Sequence, residues 1–198
     1  MSTSVSNLVQ YSRVRRTAAL IAALSSITVA SLYAQPTPRV AIDNFGQVSS
    51  TYYRGAQPMG QDYSDLAAIG IRSVINLTSD DAQPVEAAMA SQAGLKYFQI
   101  PMTTHTAPTP AQVAQFLALV NDPQNQPVYV HCVGGSHRTG VMTAVYRIVH
   151  DQWTPDRAFA EMRTFKFGPD FLHAEFKRFV LGYQVDAAAT KAAPASMR

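Results

Sequence analysis

One cysteine occurs among the 198 residues, Cys132, and it stands in the run His131-Cys132-Val133-Gly134-Gly135-Ser136-His137-Arg138-Thr139-Gly140. Five residues separate the cysteine from Arg138, and the hydroxyl of Thr139 follows. This spacing suits a short loop curled around a dianion with a thiolate at its centre, because successive backbone N–H groups can turn inward onto phosphate oxygens. Val133, Gly134, Gly135, Ser136 and His137 supply those N–H groups. Gly134 and Gly135 give the chain freedom to curl. Arg138 adds a planar fork that matches two phosphate oxygens, which a lysine does not. Thr139 is placed to donate to the sulfur when it leaves.

Upstream, Pro127–His131 is a short apolar, β-branched run that reads as a buried strand. Downstream, Val141, Ala144, Val145 and Ile148 recur at helical spacing, so a helix is expected over 139–150. The loop therefore joins a strand's carboxyl end to a helix's amino end, where unpaired N–H groups and the helix dipole favour an anion and the thiolate form of Cys132. A lone cysteine ending a buried strand is ordinarily a small core residue. The fixed offsets of glycine and arginine in this context point to a nucleophile instead.

The rest of the chain reads as strands alternating with helices. Strands are expected over Val48–Arg54, Arg72–Leu77 and Lys96–Ile100, and helices over Asp62–Ile69, Pro84–Ala93 and Pro110–Val120. A helix opened by Thr154-Pro155 runs to about Arg163, and Asp170–Leu181 closes the domain as a further helix. The implied class is α/β, a central, mainly parallel sheet of about four to five strands flanked by helices. Trp153 and the phenylalanines at 165, 167 and 171 read as core or helix-packing residues. With 47% hydrophobic residues and no composition break, the chain forms one domain over 35–185, followed by a disordered, Ala-rich tail over 186–198.

The stretch Val130–Gly140 resembles the signature of cysteine-dependent protein tyrosine and dual-specificity phosphatases: His-Cys, five residues, Arg, Ser or Thr, then Gly. Asn44-Phe45-Gly46-Gln47-Val48, Tyr53-Arg54-Gly55-Ala56-Gln57-Pro58 and Gly70–Leu77 extend the resemblance to the atypical dual-specificity branch of plants, fungi and bacteria, over about residues 44–180. The resemblance implies a phosphocysteine intermediate on Cys132, with Arg138 binding the phosphoryl oxygens and a phosphorylated protein or small molecule as substrate.

The family usually places an aspartate, sometimes a glutamate, on the loop before the helix that begins here at Pro110. Residues 101–109 contain no carboxylate, and His105 is the strong proton carrier there. Asp80 and Asp81 lie at the same sheet edge and read first as a turn or helix-capping pair, with proton donation as the alternative. A third reading needs no acid, because the leaving group is already good, as in an aryl phosphate or a pyrophosphate. The plant and fungal relatives resemble inositol pyrophosphate phosphatases, which agrees with that reading. His131 reads as a loop support and His137 as added positive charge near the phosphate. Arg54 reads as a phosphate contact or a structural ion pair. The five histidines show no metal-like spacing with carboxylates, so neither metal nor cofactor is implied.

Arg13, Arg15 and Arg16 precede an uncharged stretch over 17–38, a pattern that resembles a secretory signal over 1–34 and implies a periplasmic or secreted protein without stable membrane insertion. The formal charge of +3 comes from 16 basic and 13 acidic residues. Removing those three arginines leaves 13 against 13, so a sequence pI near 9.1 gives no support for nucleic-acid binding. Two alternatives stay open: a pseudophosphatase that binds phosphorylated ligands without turnover, and a sulfurtransferase-like or arsenate-reducing enzyme built on the same kind of anion loop.

Overall fold

The computed structural model describes residues 40–79 and 81–185. The signal expected over 1–34, the tail expected over 186–198 and Asp80 lie outside the described residues. Five strands form one sheet: β1 (Gly46–Ser49), β2 (Tyr52–Gly55), β3 (Ser73–Thr78), β4 (Lys96–Met102) and β5 (Val128–His131). Their spatial order is β1-β2-β5-β3-β4, with β1 antiparallel to β2 and every other pair parallel.

Alternation along the central strand β5 divides the interior. Val128 and Val130, followed by Cys132, pack into one core with Ile75, Leu77, Phe116 and Met142. Tyr129 faces the other way, into a second core with Tyr63, Leu66, Val74 and Leu95. β3 and β5 are buried at every position, on both faces, as strands of covered parallel sheets are. α1 (Asp62–Ala68) and α2 (Glu86–Gln92) cover one face, and α3 (Pro110–Asn121) and α4 (Arg138–His150) cover the other. α5 (Pro155–Thr164) and α6 (Ala174–Leu181) pack on the outer side of α4 through Phe159, Met162, Phe167, Phe176 and Val180. Among the described residues, no helix is long and apolar enough to cross a membrane.

Two expected elements and one expected packing residue differ. The single strand expected over Val48–Arg54 is two antiparallel strands, because the chain reverses at Ser50-Thr51 inside an otherwise strand-like run. The helix expected from Asp170 starts at Ala174 instead, and Asp170–His173 forms turns. Asp170 there accepts from Arg163 and Lys177 rather than opening the helix. Phe171, expected in the packing, is 78% exposed.

The parallel strands β2, β3, β4 and β5 all end at one edge of the sheet. The Cys132 loop follows β5, Gln57 follows β2, Asp81 follows β3, and the His105 loop follows β4. Residues far apart in sequence are thereby gathered outside the carboxyl ends of the strands, where open α/β sheets bind ligands.

Candidate active site

Four successive carbonyls of the Cys132 loop are fixed on its outer side. His131 Nδ1–H donates to Cys132 O at 3.2 Å, and Gln57 N–H donates to Val133 O at 3.0 Å. Asn44 Nδ2 donates to Gly134 O at 2.7 Å, and Arg54 Nη2 donates to Gly135 O. In a trans peptide the N–H points away from the C=O, so anchoring these carbonyls outward turns the N–H groups of Val133, Gly134, Gly135 and Ser136 inward. That is an anion-binding concavity. The α4 amino terminus closes it, and no side chain caps that helix, so its free N–H groups add to the same field. Gly135 has φ +69°, and a Cβ there would collide with the backbone of Gly55. The loop apex thus rests directly on the end of β2, and the glycine is required by both conformation and space.

Cys132 is 2% exposed and sits at the floor of this loop. Arg138 is held end-on by Asp81, with Nη1 to Oδ1 at 2.8 Å and Nη2 to Oδ2 at 2.6 Å. The second Nη1 hydrogen goes to Met102 O at 3.1 Å. Nε has no partner, so the Nε–H and the remaining Nη2–H form a free fork along one edge of the guanidinium. Burial opposes the Arg138 charge, but Asp81 and Cys132 outweigh it and its pKa is raised. The hydrogen bond from Arg138 in turn holds the Asp81 carboxyl below the usual carboxylate range. Asp81 is therefore neither a helix cap nor a ready proton donor. It orients the arginine, and α2 has no side-chain cap.

His131 is completely buried, and its Nε2 lies 2.6 Å from Glu86 Oε1. Glu86, also fully buried, accepts at Oε2 from Asn76 Nδ2 at 2.6 Å and Gln57 Nε2 at 3.1 Å. Both ring nitrogens of His131 thus face oxygens, which fixes the ring against the Cys132 peptide. A buried carboxylate at the start of α2 is thereby joined through one imidazole to the nucleophile loop. Asn44, Gln57 and Asn76 lie in stretches that carry the family resemblance, but the sequence reading gives neither them nor Glu86 a role, because the groups they bond are distant in sequence.

The histidines divide by burial. His137 Nε2–H donates to Phe167 O at 2.9 Å. Burial, and then the neighbouring His173, lower its pKa, so the positive charge expected of it is absent at neutral pH. Its ring centroid is 3.7 Å from that of His173, whose Nδ1–H donates to Thr104 O at 3.1 Å. The loop carrying His105 is thereby tied to the Cys132 loop at two points, Met102 O through Arg138 and Thr104 O through His173. His105 itself is exposed, with its ring 6.4 Å from His173. Thr139 Oγ1 is buried with no hydrogen-bond partner. Arg54 is fully buried and makes no ion pair among the described residues; its Nη2 donates to Gly135 O, on the outer side of the loop. Among the described residues, no group of three or more His, Cys, Asp or Glu side chains is arranged to hold a metal ion.

The family described as a DSP-PTPase phosphatase fused to NAD+ kinase matches residues 19–177. The dual specificity protein phosphatase TpbA of Pseudomonas aeruginosa is 30% identical over 145 residues, which are 72% of this chain and 64% of TpbA. The inositol diphosphatase SIW14 of Saccharomyces cerevisiae is 28% identical over 130 residues, 63% of this chain and 46% of that protein. The chain therefore spans less than two thirds of the length of these curated relatives. The crystal structure of TpbA aligns with a TM-score of 0.64 at 28% identity, covering 80% of this chain and 98% of that one. A TpbA variant in complex with phosphotyrosine aligns with the same TM-score, covering 78% and 91%. By its matched residues, its sheet and its loop, this chain belongs to the DSP-PTPase phosphatase family.

Proposed function

We propose that this chain is a cysteine-dependent phosphatase. The Cys132 thiolate attacks phosphorus in line, the bond to the leaving oxygen breaks, and an S-phosphocysteine forms. Water then attacks the same phosphorus, the P–S bond breaks with its electron pair returning to sulfur, and phosphate is released. The inward N–H groups of residues 133–136 and the free Nε–Nη2 fork of Arg138 hold the equatorial oxygens, whose charge they meet without reorganising. Thr139 Oγ1, buried and unpartnered, supports the sulfur as it leaves in the second step. The single observation that carries this reading is the outward anchoring of four consecutive loop carbonyls around Cys132. A purified mature chain that releases phosphate from para-nitrophenyl phosphate, and loses that activity in Cys132→Ser, supports it. Stoichiometric ligand binding without release would mean a pseudophosphatase, and sulfur transfer from thiosulfate would mean a sulfurtransferase.

The substrate reading favours an aryl phosphate, such as phosphotyrosine, over an inositol pyrophosphate. Residues 133–137 contain no lysine or arginine, and His137 is held neutral. Val133 in the loop, Met59 after β2, and Phe171 and Leu172 just before His173 are exposed apolar side chains, which suit an apolar carrier better than a polyanion. The complex of the related TpbA with phosphotyrosine agrees. A panel in which a phosphotyrosine peptide turns over faster than inositol pyrophosphates supports this choice, and the reverse order overturns it.

Export to the periplasm is part of the same proposal, from Arg13, Arg15, Arg16 and the uncharged stretch behind them. Amino-terminal sequencing of the mature protein should begin at or a few residues before Gln35. A mature chain that still carries Arg13–Arg16 in the cytoplasmic fraction would exclude cleavage and export.

A further inference from the structure

Arg54 stands at the end of β2, directly behind the nucleophile loop, and is completely buried. Its Nη2 donates to Gly135 O, its Nε and Nη1 have no hydrogen-bond partner, and its guanidinium carbon lies 4.0 Å from the centroid of the Phe165 ring. A guanidinium does not give up its proton in a protein, so this is a buried cation. Such a charge is costly to hold unless an anion balances it.

The charged and titratable groups around Cys132 narrow the choice of anion. Arg138 on α4 is neutralised by Asp81, and His131 on β5 faces Glu86. Tyr52 on β2 and Tyr129 on β5 lie within the field of Arg54 as phenols, and burial pushes the pKa of both up, so they carry no charge. Glu161 on α5 contributes to the field at Arg54 but is gripped by Arg147, Nη2 to Oε1 at 2.7 Å and Nε to both carboxylate oxygens at 3.1 Å. Of the arginines nearest the loop, Arg54 alone has no carboxylate partner among the described residues. The remaining group in its field is Cys132.

We propose that Arg54 is a positioning residue for the reaction: a fixed cation behind the loop that balances the negative charge of the Cys132 thiolate and then of the phosphoryl group. It acts through the Gly135 peptide without touching substrate. The phosphoryl part rests on the phosphatase reading above, whereas the thiolate part does not.

Because Cys132 is the chain's single cysteine, both the thiolate ultraviolet band and the rate of iodoacetamide alkylation report on it alone. Each is followed against pH in the full mature chain, with Cys132→Ser as the blank. Arg54→Met keeps the apolar stem and removes the charge. Its alkylation at mildly acidic pH should fall about tenfold, an upward shift of about one pH unit in the midpoint. Arg54→Lys keeps the charge without the fork and should hold the midpoint near that of the parent, even where turnover falls. If Arg54→Met does not fold cooperatively, Arg54→Gln, which keeps an N–H donor for Gly135 O, is read in its place. A folded uncharged variant with an unchanged midpoint overturns the proposal, as does a lysine variant that shifts as far as the uncharged one. A parent chain that titrates like a free thiol, near 8.5, would instead count against the nucleophile itself, so the two failures are distinct.

Discussion

Asp81 grips Arg138 end-on, with both carboxylate oxygens on the two terminal nitrogens at 2.8 and 2.6 Å, across 57 residues of sequence. The arrangement has two consequences. It aims the free Nε–Nη2 fork, and it commits the Asp81 carboxylate to an ion pair, so that it is not available as an acid.

Asp81→Asn should therefore weaken substrate handling without abolishing chemistry. The pair is partly exposed on the Asp81 side, at 38%, so its worth is discounted to about 1–1.5 kcal/mol, or about tenfold in kcat/KM. The loss should lie mainly in KM and in the affinity for inorganic phosphate. The pH dependence has a definite sign. A carboxyl lowered in the folded state contributes stability that is present above the unfolded carboxylate value and is lost as pH falls through the folded one. The Tm difference between parent and variant should thus be full at neutral pH and vanish in strong acid, which thermal melts across that range will check.

Cys132→Ser should remove phosphatase activity while leaving phosphate binding intact, because a hydroxyl in this field is not ionised and the loop amides are untouched. Isothermal titration with phosphate alongside steady-state assays separates the two properties. A serine variant with substantial turnover would take Cys132 out of the mechanism.

Arg138→Lys keeps a positive charge but cannot hold Asp81 end-on, Met102 O and two phosphate oxygens at once, since that needs the planar five-donor fork. Turnover should fall by about 100-fold or more, with a parallel loss of phosphate affinity. Near-normal kinetics would mean that the loop amides carry the phosphoryl group alone.

Glu86→Leu should leave His131 Nε2, Asn76 Nδ2 and Gln57 Nε2 without their shared acceptor in the interior. Breaking a buried charged network at one partner costs about 3–5 kcal/mol, readable as a lowered urea midpoint. Glu86→Gln should cost less, because the amide oxygen still accepts one of these bonds. Equal stability of both variants and the parent would mean that His131 is held by packing alone.

These outcomes turn on residues that were unequally visible in the sequence. The nucleophile loop was legible because its cysteine, glycines and arginine are contiguous and flanked by an apolar strand and a periodic helix, so local spacing carries the information. Asp81, Glu86, Asn44 and Arg54 act on that loop and its flanking His131 from 45 to 90 residues away, a placement set by the parallel crossings of β2 and β3 onto β5. Local pattern cannot report it. The run Val48–Arg54 hid a strand reversal for a related reason: the residues at the turn, Ser50 and Thr51, break neither period nor polarity sharply. Phe171 was misplaced because hydrophobicity alone assigned it to the interior, whereas the turn before α6 leaves it at the rim.

The leaving-group proton gives the sharpest test. Residues 101–109 contain no carboxylate, Asp81 is paired with Arg138, and His105 is an exposed imidazole on a loop tied to the site through Met102 O and Thr104 O. If His105 delivers the proton, His105→Ala should slow alkyl phosphates by about 100-fold or more while barely affecting aryl phosphates with acidic phenols, since only the former need protonation. The descending limb of the pH–rate profile should disappear with it. If Asp81 is released from Arg138 when substrate binds and then serves as the acid, the selective loss should follow Asp81→Asn instead, against the more uniform loss expected above. Asp80→Asn completes the set for the neighbouring carboxylate. Equal behaviour of the three variants on good and poor leaving groups would leave no side-chain acid. The enzyme would then be confined to leaving groups that depart as anions, which the carboxylate-free loop and the committed Asp81 together favour.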